Sequence, residues 1–60
     1  MGRNDMLKIG DFVLVGEPMA DDLHEHQFTG TVVDISGSIV TVEDQDGDCF
    51  DVHVVNCSLE

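Results

Sequence analysis

Residues 28–52 carry the most regular hydrophobic pattern in this chain of 60 residues. They read FTGTVVDISGSIVTVEDQDGDCFDV, in which three apolar, largely β-branched runs are separated by two short polar stretches that contain glycine. Such runs favour β-strands, and such stretches favour tight turns. The pattern predicts strands from Phe28 to about Ile35, from Ile39 to Glu43 and from Cys49 to Val52.

Alternation along each strand assigns its faces. The positions predicted to face the core are Phe28, Gly30, Val32, Val40, Val42, Phe50 and Val52. Ile35 breaks the parity of its strand, so it returns to the core only if a bulge falls near residues 33–34. Gly30 is explained if another strand crosses closely there. A strand that bends in this way can close a small barrel.

An earlier strand is predicted over residues 12–15, after a turn at Gly10-Asp11. Its alternation places Val13 and Val15 inward. Phe12 and Leu14 then lie on the outer face, where they are either partly covered or form an apolar patch that marks an interface.

Different structures are predicted for the two ends of the chain. Residues 1–7 are predicted to be a frayed segment, and residues 8–59 to form one domain. A single helical or 3₁₀ turn at 54–56 should precede a last strand at 57–59. The final pair, 59–60, resembles the residues that a common expression vector adds.

Residues 16–27 separate the first two strands and show no clear apolar period. A loop of about a dozen residues is long for a small domain, and loops of this length are often functional. A helical turn over residues 19–26 is the alternative interpretation.

Charge limits the partners. Thirteen acidic residues against two basic ones give a net charge of -11, which opposes approach to nucleic acid or an anionic membrane. The apolar content of 42% argues against a disordered acidic tail. Because a domain this small has a small core, weak homodimerisation is also expected.

The two cysteines, Cys49 and Cys57, are expected to be reduced structural thiols, because no signal peptide is apparent. No apolar run approaches the length that spans a bilayer, so a soluble, cytoplasmic protein is expected.

The order of these elements resembles the SH3-like barrel, in particular the KOW and Tudor-like small barrels. The KOW-like motif is G-x-V-x-x-I at Gly30, Val32 and Ile35, and the Tudor-like motif is VTVEDQDG at residues 40–47. The resemblance implies an all-β fold class, a small five-stranded SH3-like barrel with a short 3₁₀ turn before the last strand.

Barrels of these families bind proteins, modified peptides or RNA, so the resemblance implies the fold more strongly than the activity. The chain has neither Trp nor Tyr, so it cannot build the aromatic cage of Tudor domains from these residues. The loops that are basic in nucleic-acid-binding KOW domains are acidic in this chain.

Two groups of side chains could hold a metal ion. His24 and His26 would point the same way in an extended segment, and imidazoles beside carboxylates suit Zn²⁺ or Ni²⁺. Asp44, Asp46 and Asp48 resemble the start of a calcium loop, although glycine is fourth there rather than sixth as in an EF-hand.

The main functional hypothesis is a non-catalytic, acidic protein-interaction module without a cofactor. Its partner is expected to be a protein with a basic or apolar surface. The residues predicted to contact it are Phe12, Leu14, Asp21, Asp22, His24 and Glu25. Metal binding through residues 24–26 or 44–48 is the alternative. A DNA-mimicking decoy is a third hypothesis.

Overall fold

The central strand of the sheet is the second in the sequence, and the other strands are arranged around it. The computed structural model describes residues 7–20 and 22–60, to which the structural statements refer. Its elements are β1 (Phe12–Val15), β2 (Phe28–Ser36), β3 (Ile39–Glu43), β4 (Cys49–His53), a 3₁₀ turn (Val54–Asn56) and β5 (Cys57–Leu59). The all-β prediction is confirmed, as is the 3₁₀ turn before the last strand.

The five strands form one antiparallel sheet in the order β4-β3-β2-β1-β5. Within the described residues, no strand pairing joins β4 to β5, so the sheet is open and the predicted closure into a barrel is not observed. Residues 7–20 and 22–60 also contain no helix of the length and apolarity needed to cross a bilayer.

A β-bulge lies in β2 at the predicted place. Val32 is paired with Val42, and the next pair is Asp34 with Thr41, so Val33 has no partner in β3. The extra residue shifts the alternation, and Ile35 comes to lie opposite the buried Val40. Ile35 remains 36% exposed, so its return towards the core is partial.

A small set of apolar side chains makes the core. Its buried members are Leu7, Val13, Val15, Val32, Val40, Val42, Val52 and Cys57, with Phe28, Phe50 and Val54 packed against them. Apart from Ile35, every apolar side chain predicted to face inward is in this set. Of the N-terminal segment, residues 1–6 lie outside the described part of the chain, whereas Leu7 is described and contributes to the core.

Gly30 sits where β3 passes closest to β2. A Cβ atom added at Gly30 would collide with the backbone oxygen of Glu43 and would lie 2.8 Å from Cγ1 of Val42. Both are parts of the paired strand, and the backbone atom cannot move without disturbing the sheet. The glycine is therefore required by the close approach that its place in the sequence predicted.

Replacing Gly30 with alanine should lower the free energy of unfolding by roughly 2 kcal/mol or more, because overpacking against backbone is costly. Urea denaturation followed by circular dichroism measures the loss. Gly37→Ala is the control: Gly37 has φ +60 and open space around it, so only the left-handed conformation is penalised, by about 1 kcal/mol. Equal losses in the two variants would contradict the close approach.

Both cysteines are free, and their surroundings differ. Cys49 is exposed, whereas Cys57 is buried in the core and its thiol lies 3.7 Å from the backbone oxygen of His53. Burial raises the pKa of the Cys57 thiol from 9.0 to about 11, and the nearby Asp22 carboxylate adds to the increase.

The raised pKa of Cys57 predicts a loss of stability at alkaline pH. The folded state retains the thiol proton up to about pH 11, whereas the unfolded state releases it near pH 9. The contribution is therefore fully present below pH 9 and lost as the pH rises towards 11, by roughly 2 to 3 kcal/mol. Urea denaturation across this range should show the decline in the wild-type chain and in Cys49→Ala. A decline of equal size in Cys57→Ala would assign it to another group.

Candidate functional site

The segment between β1 and β2 is a loop, as predicted. Residues 16–20 and 22–27 contain no helix, and the bond from the Asp22 amide to the Met19 carbonyl forms a single turn at the start of the span for which a helical turn was the alternative. One end of the loop is organised by Asp22, whose carboxylate accepts a bond from the amide of Met19 at 2.9 Å while its own amide donates to the Met19 carbonyl at 3.0 Å. Asp21, a predicted contact residue, lies outside the described residues.

His24 is buried, with only 4% of its surface exposed. Its Nε2 lies 2.8 Å from the backbone oxygen of Gly16, and its ring meets those of Phe28 and Phe50 edge-on, with centroids 5.3 and 6.2 Å away. His24 is therefore a packed side chain and not a solvated loop residue. Aromatic neighbours and a carbonyl acceptor compensate for burying the ring.

The carbonyl of Gly16 also joins the loop to the 3₁₀ turn. It accepts a bond from Nδ2 of Asn56 at 3.3 Å, and the same nitrogen donates to the carbonyl of Glu17 at 3.0 Å. The Gly16 amide donates back to the Asn56 carbonyl at 2.9 Å. We call Gly16, His24 and Asn56 the Gly16 junction. Through it, the end of β1, the long loop and the 3₁₀ turn are held together.

The turn between β3 and β4 has its own internal support. Oδ1 of Asp44 accepts bonds from the amides of Asp46 and Asp48, each at 2.9 Å, and the Asp44 amide donates to the Asp48 carbonyl at 2.8 Å. Gly47 adopts φ +88, as the turn requires. Asp44 therefore closes the turn, and its second carboxylate oxygen has no intramolecular bond among the described residues.

A cleft of about 440 Å³ lies between this turn and the loop. Its buried or half-buried members include His24, Phe28 and Phe50, and its acidic members are Glu25, Asp44 and Asp46; Leu23, His26 and Gln27 complete the lining. None of these nine described lining residues is Lys or Arg. This cleft is therefore apolar and aromatic at its base and negatively charged around it.

The cleft brings together two groups that the sequence analysis treated separately. His24, His26, Asp44 and Asp46 all line it, whereas Asp48 does not. In the described part of the chain, however, no three His, Cys, Asp or Glu side chains are grouped so that they could hold a metal ion.

Of the other predicted contact residues, Phe12, Leu14 and Asp22 are not in the cleft lining. Phe12, 48% exposed, and the half-buried Leu14 are on the outer face of β1, opposite Thr31 and Thr29 of β2. Asp22 is half-buried and is not part of the cleft lining, whereas Glu25 is exposed and is part of it.

Four members of the cleft were not predicted as site residues, namely Leu23, Gln27, Phe28 and Phe50, and the two phenylalanines supply its aromatic surface. Their rings are 5.5 Å apart and tilted by 58°. The alternation of apolar residues correctly gave them to the inner face, but both lie at its margin and remain half-buried. A signal was present: Phe28 directly follows the polar loop, and Phe50 follows the polar turn after one intervening residue, Cys49.

No family model matches the chain, and no curated protein or solved structure does so either. The functional conclusion therefore depends on the chemistry of the cleft.

Substituting His24 with leucine should lower the free energy of unfolding by about 1 to 2 kcal/mol, because a hydrogen bond to a partly buried carbonyl and the aromatic edge contacts are lost while apolar volume is kept. His26→Leu is the matched control, since His26 is exposed. Urea denaturation compares the two. If both substitutions have the same small effect, His24 does not hold the loop.

Proposed function

We propose that this chain is a small SH3-like barrel domain that binds a protein partner with basic side chains, without catalysis, and that the cleft is its binding site. The observation that carries the proposal is the combination found in the cleft: half-buried aromatic rings surrounded by carboxylates, with no Lys or Arg among the described lining residues.

The fold part of the proposal is supported by topology. Five short antiparallel strands and a 3₁₀ turn before the last strand are what the resemblance to SH3-like barrels implies, and the bulge in β2 provides the bend from which barrel closure was predicted. Because β1 pairs with both β2 and β5, the last strand of the sequence lies beside the first in the sheet. Closure of the barrel would then depend on side-chain packing between its open edges rather than on strand pairing.

Complementary charge supports a basic partner. The net charge of -11 attracts cationic surfaces at long range, and the carboxylates of Glu25, Asp44 and Asp46 concentrate this potential at a concave place. Apolar surface beside the charges allows the stem of a long basic side chain to be buried while its charged end stays paired. Such sites favour fast, salt-sensitive association.

We also propose a cytoplasmic location, which the state of the two thiols supports. Cys57 is buried with a raised pKa, which keeps it as an unreactive thiol. Two free cysteines in so small a domain suit a reducing compartment, where disulfides are rare.

Binding can be tested by NMR titration of the ¹⁵N-labelled chain with a short peptide in which basic residues alternate with Gly and Ser. Amide shifts are expected at the residues of the cleft, with affinity falling as salt is added. Asp46→Asn should weaken binding by roughly fivefold, because it removes a carboxylate from the cleft.

The chain supplies a matched control for this substitution. Asp48 lies in the same turn but is not in the cleft lining, so Asp48→Asn removes the same charge and should change the affinity less than about twofold. Glu25→Gln and Glu17→Gln form a second pair of the same kind within the loop. If the two substitutions of each pair change the affinity equally, binding depends only on net charge and the cleft is not the binding site.

A further inference from the structure

His24, one of the residues that line the cleft, carries a hydrogen-bond acceptor without a donor. Nδ1 of His24 is buried and has no partner among the described residues. The partner of Nε2 is a carbonyl oxygen, which can only accept, so Nε2 carries the hydrogen and Nδ1 of the neutral ring presents a lone pair. An unsatisfied buried acceptor is costly, and a ligand that donates an N–H bond would remove this cost.

The other polar groups of the cleft have the same character. The carboxylates of Asp44, Asp46 and Glu25 accept hydrogen bonds and carry negative charge. Asp44 uses Oδ1 for the turn, and Oδ2 remains for a ligand. A ligand that fits must therefore offer several N–H donors in different directions and carry positive charge.

The aromatic rings narrow the choice further. Phe28 and Phe50 line the cleft and are only half-buried, so part of each ring is open to a ligand. Their planes are inclined by 58° to one another and by 68° and 67° to His24, so the three rings form differently oriented walls. A flat cation can stack on one wall and direct its edges to the others.

We propose that the cleft anchors an unmodified arginine side chain of the partner, whose guanidinium stacks on Phe28 or Phe50 and donates to Asp44, Asp46 and Nδ1 of His24. The inference rests on the proposed function and names the partner's anchor. Guanidinium has five donors in a plane and is more weakly hydrated than an ammonium group, so it suits a partly apolar cleft of dispersed acceptors better than lysine does. Because Nδ1 is covered in the unbound chain, the irregular loop must yield slightly for this bond to form.

The test uses three peptides that differ only in the basic residue: arginine, lysine or asymmetrically dimethylated arginine, each alternating with Gly and Ser. NMR titration of the wild-type chain should give an arginine affinity roughly fivefold or more above that of lysine. Dimethylation should weaken binding by a similar factor, because it keeps the charge but removes donors. Contacts between the arginine δ-protons and the rings of Phe28 and Phe50 are expected in NOE spectra.

Two substitutions make the ring contribution measurable. Phe50→Leu retains apolar bulk and removes one ring from the cleft, and should lower the arginine affinity by a larger factor than the lysine affinity, so that the preference for arginine decreases. Phe12→Leu, at an exposed phenylalanine outside the cleft, should leave the preference unchanged. Amide spectra of each variant establish that it is folded.

The outcomes separate the two proposals. Equal binding of the arginine and lysine peptides at the cleft, or tighter binding of the dimethylated peptide, overturns the arginine anchor and leaves the proposed function in place. If Asp46→Asn does not change the affinity, and the peptides shift no amide peak of the cleft residues, both proposals are overturned.

Discussion

The carbonyl oxygen of Gly16 is the point on which the functional side of this small domain depends. It receives Nε2 of His24 from the loop and Nδ2 of Asn56 from the 3₁₀ turn, at 2.8 and 3.3 Å. A loop of this length without regular structure would otherwise lose little by leaving the sheet. Two side-chain donors on one carbonyl fix the loop at its middle, and the loop then forms one wall of a cleft.

The opposite wall is set by the register of the sheet. Phe28 begins β2 and pairs with Val15, while Phe50 in β4 pairs with Val42, so both rings border a fully buried layer of valines. Beside the two rings, the turn between β3 and β4 is closed by hydrogen bonds from its own amides to the Asp44 carboxylate. The Asp44 carboxylate is thus held in place by backbone amides of the turn, and with Asp46 and Glu25 it concentrates negative potential at the cleft.

The sequence predicted the scaffold well and the site poorly, for a physical reason. Strand positions, the bulge near Val33 and the close approach at Gly30 follow from period-two alternation and from local sterics, which short stretches encode. The burial of His24 follows instead from a carbonyl eight residues earlier and two rings on separate strands, and no local pattern indicates such contacts. For the same reason Phe28 and Phe50 were predicted only as core residues, although both lie at the margin of the core and also line the cleft.

The position of the His24 ring is the central claim, and NMR of the unbound chain tests it directly. NOE cross-peaks between the His24 ring protons and those of Phe28 and Phe50 are predicted, together with long-range ¹H–¹⁵N correlations that place the hydrogen of the neutral ring on Nε2. The absence of these cross-peaks, or a ring whose hydrogen is on Nδ1, would contradict the Gly16 junction and with it the cleft.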